Sequence, residues 1–177
     1  MLVRNIKMYR PYEGFSSEAI VEEMLSGFIS HDIEVCTYCF EELACRKHNK
    51  INSKREKLTA KHLEPIAWLE TAAGITQKYK STTKGHCNVY IILLKGMDAG
   101  NPGYALYVGQ SYHSPEKRFQ QHREGYRAAR SVKNYGYCLL PSLYEHLNPM
   151  SRSEALQLES DIFEALSSTD IPTYGGH

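Results

Sequence analysis

No stretch of the chain is apolar over the ~20 residues that a bilayer-crossing helix needs, so no membrane partner is expected. Excess charge of one sign is missing too: 21 lysines and arginines face 20 aspartates and glutamates, a formal net charge of +1. That excludes a strongly basic arm as the main binding device and leaves only local patches to attract a polyanion. The opening Met1-Leu-Val-Arg-Asn-Ile-Lys-Met8 has no long apolar core and no small-residue cleavage site, so no signal peptide is expected. Internal repeats and low-complexity runs are absent. An odd number of cysteines, five, without a secretion signal points to reduced thiols and a cytoplasmic protein.

What is present is an ordinary globular composition, 42% hydrophobic and 23% charged over 177 residues, enough for one domain or two small ones. The first part reads as helical. Ser16 or Ser17 caps a helix to about residue 30, with Ile20, Met24 and Phe28 at helical spacing. Asp32 caps a second to about His48, and a third is expected from about 59 to 79, with Pro65 disturbing its first turns. Cys36, Cys39, Cys45 and His48 are a conceivable Cys₃His zinc set. Their place on the apolar side of one continuous helix favours packing as small hydrophobes instead.

At Ser81–His86 the pattern changes from helical to alternating, which divides the chain into a helical region, 1–84, and a second domain, 85–177. Residues 88–94 and 104–109 read as strands of an antiparallel hairpin with a turn-rich loop between them. Ser114-Pro115 opens a helix expected to reach about Arg130. A short strand follows within 137–147. Ser151 and Glu154 match a capping box for a last helix to about Ser167, and 171–177 reads as an extended tail.

Five side chains carry chemistry in this second part. Tyr90 and Tyr107 lie on paired strands, so one sheet face can hold both. Arg118 and His122, four residues apart, share a helix face beside the apolar stripe, where a guanidinium can hold a phosphate and an imidazole can move a proton. Glu159 falls within the core stripe of the last helix, and a carboxylate there must be paired or bind a metal. Two basic clusters stand apart from these: Lys47, Lys50, Lys54 and Arg55 in the helical region, and Arg123, Arg127 and Arg130 continuing the Arg118 helix.

With Val89-Tyr-Ile91, Tyr107-Val-Gly109, Arg118, His122 and Glu159 in this order, the chain resembles the GIY-YIG nuclease superfamily over about residues 86–177. Tyr90 matches the tyrosine of the first motif and Tyr107 that of the second. The resemblance implies a small α+β domain, a three-stranded antiparallel sheet flanked by helices, and hydrolysis of DNA with one Mg²⁺ or Mn²⁺ per site. It implies that a tyrosine activates water, Arg118 clamps the phosphate, His122 assists proton transfer and Glu159 ligates the metal. Gly175-Gly176 stand where many members carry an asparagine. The rival expectation is a nucleic-acid-binding protein that keeps the fold without the chemistry, and the sequence does not separate DNA from RNA.

Overall fold

The computed structural model describes residues 10–30, 32–46, 66, 68–97 and 103–176. The chain divides into two compact units, Met1–Leu69 and Glu70–His177.

In the first unit, helices α1 (Ser17–Ile29) and α2 (Ile33–Cys45) pack together. The Ser16 hydroxyl accepts the Ala19 amide and the Asp32 carboxylate accepts that of Val35, so short polar residues satisfy first-turn donors. Ile20, Met24, Cys36, Cys39, Phe40 and Leu43 are buried between them. The nearly buried Glu42 is held by Arg10 at 3.0 Å and Arg46 at 2.7 Å. Arg46 also donates to the carbonyls of Tyr12, Glu13 and Phe15, so its charge serves the fold. Burial raises the Cys36 thiol and pushes that of Cys39 up to about 12, which opposes the thiolates a zinc site needs. His48, the fourth member of that set, lies outside the described residues.

The second unit begins with helix α3 (Leu69–Thr76), at the boundary, and so starts earlier than the change of pattern at 84/85. Hydrogen bonds explain why this stretch belongs with the sheet domain. His146 Nε2 donates to the Thr76 carbonyl at 3.2 Å, and the Tyr79 hydroxyl donates to that of Asp161 at 3.2 Å.

Strands β1 (Asn88–Lys95) and β2 (Tyr104–Ser111) pair antiparallel, and β3 (Gly136–Leu139) joins β1 antiparallel. Helices α4 (Pro115–Glu124) and α5 (Arg130–Tyr135) connect β2 to β3, and α6 (Arg152–Ser167) follows two 3₁₀ turns. Strand β4 (Thr173–Gly175) then pairs parallel with β2, giving the order β3-β1-β2-β4. The architecture is α+β, but the expected three-stranded antiparallel sheet is a four-stranded mixed one. The extended tail supplies the extra strand: Leu106 donates to the Pro172 carbonyl at 2.8 Å, and Tyr107 pairs with Tyr174. Val89–Leu94 are all buried, as a near-continuous apolar run on a central strand requires.

Two terminations differ from expectation. Helix α4 stops at Glu124, not near Arg130. Gly125 adopts a left-handed cap (φ 87°), and the amides of Gly125 and Tyr126 bond back to the carbonyls of His122 and Gln121. At α6 the Ser151 hydroxyl accepts the Glu154 amide, but the Glu154 carboxylate does not complete a capping box. It accepts instead from the amides of Thr82 and Thr83 and from the hydroxyls of Ser81, Thr82 and Thr83. Those bonds, Thr83's hydroxyl first, hold it down to about 2.

Candidate active site

The register of the hairpin decides where the two tyrosines meet. Tyr90 faces Gly109 across the strands and Tyr107 faces Ile92, so the phenols are diagonal neighbours on one face. Their ring centroids lie 6.2 Å apart, nearly stacked at 29°. Glycine at 109 is required by proximity. A Cβ there would sit 2.6 Å from the Tyr90 phenol carbon and oxygen and 2.8 Å from the Tyr107 ring.

Helix α4 brings the third ring. Ser114 caps it, Pro115 starts it, and Phe119 and His122 point inward. The His122 imidazole, 1% exposed, lies 6.1 Å from the Tyr90 ring and 5.8 Å from that of Tyr107, centroid to centroid. Its Nε2 is 2.9 Å from the Tyr90 oxygen, and its Nδ1 accepts the Ala129 amide at 3.0 Å. An amide hydrogen aimed at Nδ1 leaves no room for a proton there, so the neutral ring carries its proton on Nε2. His122 therefore donates to Tyr90. Burial first, then Arg118, holds its pKa down to about 4.

Arg118, one turn earlier on α4, is half-buried. It donates to Gln121 Oε1 and to the carbonyls of Tyr126, at 3.3 Å, and Arg127, at 2.8 Å. The turn after the helix thus engages both terminal nitrogens of its guanidinium. Burial raises the Tyr90 phenol strongly; Tyr107 and Glu159 add to this, while Arg118 opposes it by charge and a hydrogen bond. For Tyr107 burial and Glu159 raise, and Arg118 and a hydrogen bond with Tyr90 lower.

Glu159 projects from α6 and is 4% exposed, a carboxylate in the core stripe whose charge bears on both phenols. Among the described residues no group of three or more His, Cys, Asp and Glu could hold a metal ion without further ligands. The donors beside the phenols are hard oxygens with one carboxylate. That suits an ion completed by water and phosphate oxygens, as Mg²⁺ commonly is, and does not suit a closed zinc site.

The structure brings Tyr90, Tyr107, Arg118, His122 and Glu159 into one neighbourhood. Of the basic candidates, Arg123 donates to the Gly136 carbonyl at 3.1 Å, while Arg127 and Arg130 are exposed. Lys47, Lys50, Lys54 and Arg55 lie outside the described residues. Two participants had no signal in the sequence. Ala129 acts through its backbone amide, and Tyr174, in register with Tyr107 on β4, joins the tyrosine face. No helix among the described residues is long and apolar enough to cross a membrane. No family model, curated protein or solved structure matches the chain.

Proposed function

We propose that the chain is a metal-dependent endonuclease that hydrolyses DNA phosphodiester bonds, organised like the GIY-YIG nucleases. The observation that carries this is the directed contact between the His122 Nε2 and the Tyr90 oxygen, beside Tyr107, with Arg118 and Glu159 within electrostatic reach. Hydrolysis of a phosphodiester needs an activated water, a held phosphate and stabilised charge on its oxygens. His122 engages the Tyr90 oxygen, and the Tyr107 ring lies stacked beside it. Tyr107 is therefore the phenol that meets the water, and Tyr90 positions it. His122 acts as a positioning residue rather than a proton acceptor, because Nδ1 is occupied and Nε2 is already protonated.

Arg118, with both terminal nitrogens donating to the turn, is held in a fixed orientation, and its charge would hold the phosphate through the hydrogens that remain. Glu159 would hold Mg²⁺ or Mn²⁺, which when bound supplies Lewis-acid stabilisation of the phosphate and a more acidic water. Lys47, Lys50, Lys54, Arg55, Arg127 and Arg130 would add contacts to the DNA backbone.

Nicking of supercoiled plasmid with Mg²⁺ or Mn²⁺ tests the proposal. Wild type should cut, and Glu159→Ala and Arg118→Ala should each lose about 100-fold or more. Wild type that binds DNA but never cuts with either ion would leave the second reading, a binding protein of the same architecture. One observation favours that alternative: burial raises both phenols further above their ordinary range, which opposes the phenolate that could take a proton from water.

A further inference from the structure

We infer that the turn Gly125–Arg127 seats one unpaired nucleotide next to the phosphate held by Arg118. This rests on the phosphodiesterase reading and names the form of nucleic acid that the site takes.

Four features meet at this turn. Arg118 donates to the carbonyls of both Tyr126 and Arg127, so the phosphate clamp and the turn are one unit. The Tyr126 ring is 57% exposed, although its own backbone and that of Gly125 are fixed by the capping bonds of α4. The Arg127 guanidinium carbon lies 5.7 Å from the Tyr126 ring centroid, a cation–π pair that occupies part of the ring and orients it. Arg127 itself has φ 44°, the one left-handed non-glycine among the described residues. An arginine in that conformation is strained, and such strain persists where the surroundings impose it and function uses it.

The surrounding charge suits a polyanion. Residues 123–135 carry Arg123, Arg127, Arg130 and Lys133 against Glu124 alone. The exposed ring decides between forms of that polyanion. A base inside a duplex has both faces covered by its neighbours and gains nothing from a tyrosine. A base outside the stack has a bare face, and stacking on an aromatic side chain stabilises it by about 1–3 kcal/mol. A protein surface is the bland partner for such a ring, but it does not explain why the ring sits on the clamp of the phosphate-binding arginine.

The test is binding of the full-length chain in EDTA, where no cleavage occurs, to a labelled 20-nucleotide single strand and to its duplex, followed by fluorescence anisotropy. Tyr126→Ala should weaken single-strand binding about tenfold or more and change duplex binding less than about twofold. Tyr126→Phe, which keeps the ring, should bind like wild type. Arg127→Gly relieves the backbone strain, so it should hold or raise Tm while weakening the single-strand complex. Equal losses on both nucleic acids, no loss on either, or a Phe variant as weak as the Ala variant would overturn the inference. Wild type that binds and nicks duplex DNA, but whose single-strand affinity ignores Tyr126, overturns the stacking seat alone. Wild type that binds neither form overturns the nuclease proposal with it.

Discussion

The Ala129 amide points at His122 Nδ1 across 3.0 Å, and that contact fixes on which nitrogen the imidazole keeps its proton. The ring is buried neutral, with its pKa lowered from 6.5 to about 4. In the unfolded chain it protonates near 6.5, so between 6.5 and 4 the unfolded state binds more protons. Stability contributed by neutral His122 is complete above pH 6.5 and is lost as pH falls towards 4. Urea unfolding at pH 7.5 and 4.5 should show a larger acid loss for wild type than for His122→Gln. Equal losses would mean that the ring does not titrate as described.

The same tautomer shapes the activity profile. A histidine acting as base would give a rise in rate centred near its own pKa. Here the titrating group is a phenol raised by burial, so nicking rate should climb through pH 7–9 rather than level off above a step near 4. Tyr107→Phe should lose more activity than Tyr90→Phe, because the Tyr90 oxygen is already engaged by His122. The reverse order, measured under single-turnover conditions, would exchange their roles.

Gly109→Ala places a methyl group 2.6 Å from the Tyr90 phenol. The cost expected for overpacking is about 1–3 kcal/mol, with nicking lost because both phenols shift. Tyr90→Ala removes the nearer of the two obstructing rings and leaves that of Tyr107 at 2.8 Å, so the double variant should be less unstable than the sum of the singles. Thermal unfolding of the four proteins in this cycle decides it.

Gly175→Ala acts on the fourth strand. Its φ of 105° is strained for any other residue, and a Cβ would lie 1.9 Å from the Val108 carbonyl oxygen. Destabilisation by more than about 1 kcal/mol is expected, together with slower nicking, since β4 flanks Tyr107. Unchanged Tm would show that β4 does not pair with β2.

Glu154→Gln separates bracing from chemistry. The carboxylate is lowered from 4.5 to about 2, so its contribution is present above pH 4.5 and is lost as pH falls towards 2. At pH 7 the variant should melt earlier and still nick plasmid at low temperature. Loss of nicking in a folded Gln variant would move Glu154 into the site.

Much of this was legible because periodicity and side-chain chemistry coincide. Tyr90 and Tyr107 fall on two apolar strands joined by a turn-rich loop, and antiparallel pairing brings them together. Glu159 stood out as a carboxylate inside a helical apolar stripe. Ser114-Pro115 announced α4 through its capping bond. The misses have physical causes of their own. The helix from Ser114 was expected to reach about Arg130, and only the left-handed φ of Gly125 ends it early. Strand β4 is three residues between Pro172 and Gly176, too short for alternation to appear. Glu154 was read as completing a capping box because spacing cannot show that two amides and three hydroxyls at 81–83 compete for it. Ala129 contributes a backbone hydrogen, which no residue type advertises.

The closeness of Gly109 to the Tyr90 ring also has a consequence for how this sequence can drift. Neither position can change by itself without penalty: any side chain at 109 strikes the ring at 90, and a smaller residue at 90 opens a gap above a glycine that no longer serves a purpose. Lineages descending from this chain should therefore keep both residues or exchange both. A sequence that has lost the aromatic at 90 while gaining a side chain at 109 no longer holds the pair on which the proposed hydrolysis rests, whatever the rest of its sheet retains.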